Sequence, residues 1–190
     1  MNIVDEARQV IARESQTVTE VPLYLRVRDA LAQLPEMEAH PHSLLRWFEY
    51  EIEFLSRNHI DEESRILDWL RSLEIAAAPE VAAVIPLRGN ECVMITRYWA
   101  CPGERLLIPH RDSDVGPPWP EAARTRFRDD MAKLAAHGKV HPYARGYAHM
   151  YLSDRTGTVL LNTWSVLKAG TAREQREFLE SIDFQIQRRT

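Results

Sequence analysis

The hydrophobic period of this chain changes near Val81, and that change constrains the fold more than any other feature. Before it, apolar residues recur at helical spacing; after it, they come in short runs broken by glycine and proline. Val4, Ala7, Val10 and Ile11 keep to one helix face. Leu25, Val27, Leu31 and Leu34 predict a second short helix, stopped by Pro35. Ser43 caps an expected third helix, with Leu44, Leu45, Trp47, Phe48, Ile52 and Leu55 on one broad face. Arg46, Glu49, Glu53 and Arg57 fall largely off that face. Asp61 opens a fourth, with Glu62 and Glu63 near the positive end of its dipole and Ile66, Trp69, Leu70 and Leu73 toward the core.

Beyond the change, strands are expected over Val81 to Leu87, Cys92 to Trp99 and Arg105 to Pro109, separated by Gly89-Asn90 and Pro102-Gly103. A helix from Glu121 to Ala136 interrupts them, with Ala123, Phe127, Met131 and Leu134 on its buried side. Strands resume over Gly146 to Ser153 and Thr158 to Val166, and Asp154 to Gly157 form the turn. Thr171 caps a short helix to about Leu179, after which Ile182, Phe184 and Ile186 alternate with polar residues. Helices first and strands later predict an α+β fold, N-terminal helices packed on an antiparallel sheet that curls toward a double-stranded β-helix. The 190 residues fit a single domain, residues 1–78 a helical layer and 79–190 a β-rich core with one inserted helix.

Composition narrows the function classes. A net charge of −4 gives no support for a nucleic-acid partner. No apolar run is long enough to span a membrane. The opening MNIVDEARQVIARES carries early acids and no apolar stretch, so it does not resemble a secretory signal. Cys92 and Cys101 make neither a disulfide framework nor a CxxC motif, and a cytoplasmic setting is expected.

Arg105-Leu-Leu-Ile-Pro-His110-Arg-Asp112 carries the first chemical signal. Side chains two apart on a strand point to one face, so His110 and Asp112 are placed to grip one ion. An imidazole and a carboxylate are two-thirds of the facial triad that holds non-heme Fe(II). The competing reading is a turn histidine bonded to a local Asp, since Ser-Asp-Val-Gly-Pro-Pro-Trp-Pro follows as a loop.

This motif, followed by His149-Met150, by Gly157-Thr-Val-Leu-Leu-Asn-Thr-Trp164 and by Arg176-Glu-Phe-Leu-Glu-Ser-Ile-Asp183, resembles the Fe(II)/2-oxoglutarate dioxygenases of the proline hydroxylase and aspartyl/asparaginyl hydroxylase type. The likeness covers roughly residues 92 to 187. It implies a cupin-like core, Fe(II) and 2-oxoglutarate as cofactors, and hydroxylation of a small polar substrate such as an amino acid. It also implies that Arg176, with Arg173 as the nearby alternative, binds the distal carboxylate of 2-oxoglutarate through a bidentate guanidinium. The family's distal histidine is absent near Val166 to Gly170, where Lys168 stands. His149 or His141 could complete the triad; otherwise the metal has two protein ligands, or the scaffold has lost it and kept a binding role.

Gly146 to Trp164 also resembles the histidine strand of papain-fold cysteine peptidases. There Cys92 would be the nucleophile, His149 its base and Asn162 the orienting residue. That chemistry asks for a helix N-terminus behind the cysteine, whereas the residues after Cys92 are β-prone, the setting of a buried strand thiol. A third class is a non-catalytic binding protein in which Trp99, Trp119 and Trp164 line a groove, although such tryptophans also suit a core. His40-Pro-His42 reads as a loop, and His59 and His137 as helix-end residues where a dipole favours a cation.

Overall fold

A computed structural model describes residues 2–39, 44–97, 106–107, 119–145, 150–153, 159–161 and 164–187. The chain divides into two compact units, one of residues 1–65 and 80–103, the other of residues 66–79 and 104–190. Helix α3 (Arg57–Ser72) carries the chain from the first into the second.

In the first unit, α1 (Ile3–Gln16) starts where the side chain of Asn2 accepts the Val4 N–H at 3.0 Å. Asp5 and Glu6 sit in its first turn and Arg13 in its last, each sign at the end of the dipole that favours it. Helix α2 (Leu23–Leu31) follows Pro22. Arg26 joins the two, donating to the Glu14 carbonyl at 2.6 Å. Of the residues expected on their apolar faces, Ala7, Val10, Ile11, Val27 and Leu31 are buried and Val4, Leu25 and Leu34 half-buried, while Ile3 and Leu23 join the core from the first turns.

These helices cover a five-stranded antiparallel sheet, so the α+β class is the one the chain adopts. The sheet comprises β1 (Met37–Ala39), β2 (Leu45–Trp47), β3 (Tyr50–Ser56), β4 (Glu80–Pro86) and β5 (Glu91–Arg97), in the spatial order β1-β2-β3-β5-β4. Leu45, Trp47, Ile52, Val93 and Ile95 share one core with α1 and α2. The expected third helix from Ser43 is therefore corrected to the hairpin β2–β3. Its apolar residues also fit a period of two, with Arg46, Glu51 and Glu53 alternating against them. What decides is pairing: β3 runs the full length of β5, from Tyr50↔Arg97 to Ser56↔Glu91. Phe48, at φ 50°, turns the chain in a conformation that no helix interior allows. Helix α3 then opens at Arg57, four residues ahead of Asp61, and Gly89 at φ 75° turns β4 into β5 at the expected Gly-Asn.

The second unit holds β6 (Leu106–Leu107), α4 (Glu121–Ala136), β7 (Lys139–Val140), β8 (Met150–Ser153), β9 (Val159–Leu161), β10 (Lys168–Ala169) and α5 (Ala172–Gln187). Strands β6, β8 and β9 form one antiparallel sheet and β10 pairs with β7. Thr171 starts α5 as expected: its N–H and hydroxyl donate to the Glu174 carboxylate at 2.8 and 2.9 Å, a capping box. The alternating tail expected over 182–187 is corrected, because α5 runs on as one helix. Phe178, Ile182 and Gln185 are all buried, at steps of four and three, so the helical period overrides the alternation.

Close approach fixes one position between β7 and β10. A Cβ on Gly170 would stand 2.8 Å from Val140 Cγ1. Gly170→Ala should cost about 1–3 kcal/mol, the usual range for overpacking. In urea unfolding, the pair Gly170→Ala with Val140→Ala should be less destabilised than the two single costs combined. Strict additivity would show that the clash is not what excludes a side chain at 170.

Candidate functional site

His110, Asp112, His149 and Asn162 lie outside the described residues, as do His40, His42, Trp99 and Cys101. The strands that flank the first and third of these are described. Strand β6 ends three residues before His110, and β8 begins at Met150, directly after His149. They pair antiparallel, Leu106 with Ser153 and Leu107 with Leu152. Strand β8 pairs in turn with β9, Met150 opposite Leu161.

The anchor of this small sheet is a carboxylate that the sequence pattern did not single out. Asp130 occupies the apolar face of α4, three residues after Phe127 and four before Leu134, and is 1% exposed. A charged residue on an otherwise apolar stripe was the signal available for it. Its Oδ2 accepts the Ala77 N–H at 2.9 Å. The Ala77 carbonyl accepts the Leu161 N–H at 2.8 Å, so the outer edge of β9 is held by the same residue. One turn further along α4, Lys133 donates to the carbonyls of Leu73 and Glu74, both at 3.2 Å, closing the C-terminal end of α3. Burial raises the Asp130 carboxyl above its ordinary range, against the Ala77 hydrogen bond and the charges of Lys133 and Arg126.

The two clamp candidates differ in their surroundings. Both stand on α5 and are exposed. Arg173 donates to Glu177 at 2.7 Å, and that hydrogen bond and charge raise its pKa further. No such bond holds Arg176 among the described residues. In the resembled family this arginine precedes a strand; here it lies within a helix.

Other expected chemistry is placed differently. Cys92 lies inside β5, opposite Leu55 and Pro86, packed with Ile60 and Met94, and no helix starts at it. Trp119 and Trp164 are core residues rather than groove walls. Trp119 stands edge-on to Phe127 at 5.6 Å and Trp164 edge-on to His141 at 5.0 Å, with all four side chains buried. His137 caps the C-terminal end of α4, where a cation is favoured. His59 is corrected: it lies in the first turn of α3, where the dipole opposes a cation, and Glu63 at 3.6 Å supplies the offset. Among the described residues no three His, Cys, Asp or Glu side chains gather closely enough to hold a metal ion. No helix among them is long and apolar enough to cross a membrane.

No protein-family model matches the chain, and a search of curated proteins finds no match either.

Asp130→Ala should cost about 1–3 kcal/mol in chemical unfolding, because it strands a buried N–H. Asp130→Asn keeps an acceptor and removes a charge that burial penalises, so its cost at pH 7 should be well below that of the alanine. Acid should stabilise the parent relative to the Asn variant, so the cost of Asp130→Asn should grow as pH falls: a raised carboxyl stabilises most fully below its unfolded pKa and loses that contribution as pH rises through the folded one. Equal losses for Ala and Asn would remove the hydrogen bond from the account. For Cys92, iodoacetamide should label the Cys101→Ser protein only after unfolding; fast labelling of the native form would mean a reactive thiol.

Proposed function

We propose that the second unit forms an Fe(II)- and 2-oxoglutarate-dependent oxygenase site that hydroxylates a small polar substrate such as an amino acid. The observation that supports this most is the register of β6 on β8. Leu107 stands opposite Leu152; the same register, if carried three positions further, would set His110 against His149. Directly opposed residues of an antiparallel pair share a face with Cβ atoms about 4.5–5.5 Å apart. Asp112, two residues on, would then keep the face of His110. On this reading His110, His149 and Asp112 would supply two imidazoles and a carboxylate, the donor set of the facial triad. The missing distal histidine is then replaced by one on the neighbouring strand.

The protein's part is to hold these donors and to orient the cosubstrate. Bound Fe(II) would supply oxygen activation coupled to oxidation of 2-oxoglutarate. Arg176 is the better clamp for the distal carboxylate, since the Arg173 guanidinium is already bonded to Glu177. The proposal carries with it a cupin-like, double-stranded β-helix arrangement, with which the antiparallel pairing of β6, β8 and β9 is compatible.

Anaerobic Fe(II) titration tests it. The parent should bind one ion. His110→Ala, His149→Ala and Asp112→Ala should each weaken binding at least as much as the ~10–100-fold that loss of an outer-shell partner costs. Arg176→Ala should raise the KM for 2-oxoglutarate in cosubstrate turnover while Arg173→Ala leaves it near the parent's. A His110→Ala protein that binds iron as well as the parent would refute the assignment.

A further inference from the structure

The first unit carries a polar row on the sheet face turned away from α1 and α2. Ile52 and Phe54 pack with those helices, so Glu51, Glu53 and Leu55 take the other face. In register, Glu53 stands opposite Met94, and Glu51 stands between Arg46 and Thr96. Met94, Cys92 and Leu55 on this face pack against Ile60 of α3. Glu63 lies one turn beyond Ile60, so the first half of α3 brings a carboxylate to this face, with the His59 imidazole 3.6 Å from it.

The charges there do not balance. Arg46 is bonded to the buried Glu51 carboxylate. Among the described residues, the basic group paired with Glu63, 12% exposed, is the half-open His59 at 3.6 Å. Among the described residues no cation is bonded to Glu53. The groups that face it are Glu51 on its own strand, Arg46 from β2, Glu63 and His59 from α3, and Met94, Thr96 and the Cys92 thiol from β5.

We propose that Glu53, Glu63 and His59 form a proton-operated latch that fastens the first half of α3 to the sheet while a carboxyl proton is held between strand and helix, and loosens it when that proton leaves. Two carboxylates so placed cannot both ionise without repelling each other in a poorly solvated space. Burial, then the charges of Glu63 and Glu51, push the Glu53 carboxyl up to about 7 from its ordinary 4.5. Burial likewise raises Glu63, while His59 lowers it. A carboxyl whose folded pKa is raised contributes fully below the unfolded value. Its contribution is lost as pH climbs through the folded value, which sets the window between about 4.5 and about 7. The latch thus closes in mild acid and eases above neutrality, on the helix that continues into the second unit.

Amide hydrogen exchange of Ile60 to Ser64 in the full-length protein, corrected for the chemical exchange rate, reads the latch directly. Protection should fall by about tenfold or more between pH 5.5 and pH 8.5, one pKa unit of difference corresponding to tenfold. Glu53→Gln mimics the protonated carboxyl and should keep protection level across that range. Carbon-13 titration of the Glu53 carboxyl in the parent gives a second reading, expected near 7. A midpoint near the ordinary value, level protection in the parent, or a Glu53→Gln protein that loosens as the parent does would each overturn the proposal.

Discussion

The Ala77 backbone is the constraint on which the second unit depends. Its N–H is taken by a carboxylate from the core face of α4, and its carbonyl takes an N–H from β9. A helix and a strand are thereby fixed to the same two atoms of backbone, beside an α3 terminus that Lys133 closes. The arrangement resolves a problem of burial. A residue passing from the end of a helix into a core must satisfy both of its polar groups, and an unmade hydrogen bond there costs more than a made one contributes.

The same economy explains why a charged side chain is kept on an apolar stripe. An asparagine would accept the same bond without desolvating a charge. The carboxylate is tolerated because Lys133 and Arg126 stand close enough to lower its pKa partway back. In the first unit the balance differs. The row of Glu51, Glu53 and Glu63 has one cation fully engaged and a histidine at its rim, so proton uptake is the cheaper route to neutrality.

How much of this was legible depends on whether local pattern or distant pairing decided the outcome. Helices α1, α2 and α4 have apolar residues that fit only one period, and their buried faces follow from it. Leu45 to Leu55 fit two periods, and β5, some forty residues away, selects the extended one by pairing with all of β3. No local propensity contains that information. Ile182 to Ile186 show the reverse: an alternating triplet is overruled because Phe178, Ile182 and Gln185 form a continuous helical stripe against the core. His59 was assigned to the wrong end of the dipole for a related reason. With 45–56 taken as helix, residue 59 looks like a terminus; with β3 in place, it belongs to the start of the next helix.

The candidate ligands divide along the same line. His110 and Asp112 are two residues apart, a spacing from which strand geometry alone predicts a common face. The third donor cannot be found that way, because spacing in sequence carries no information about a partner across an antiparallel pair. His149 follows Asp112 by 37 positions, enough for α4, β7 and a helical turn at Pro142–Arg145. Any intervening length serves, provided the returning strand lands in register. The relevant quantity is the pairing of Leu107 with Leu152, which a one-residue slip would turn to the opposite face. Leu160 and Leu161 oppose such a slip: both are fully buried on β9 and paired with Tyr151 and Met150, so shifting β8 breaks that register as well. The Asp130–Ala77–Leu161 chain reaches β8 through this same pair, since Leu161 is opposite Met150, the residue that follows His149 in sequence.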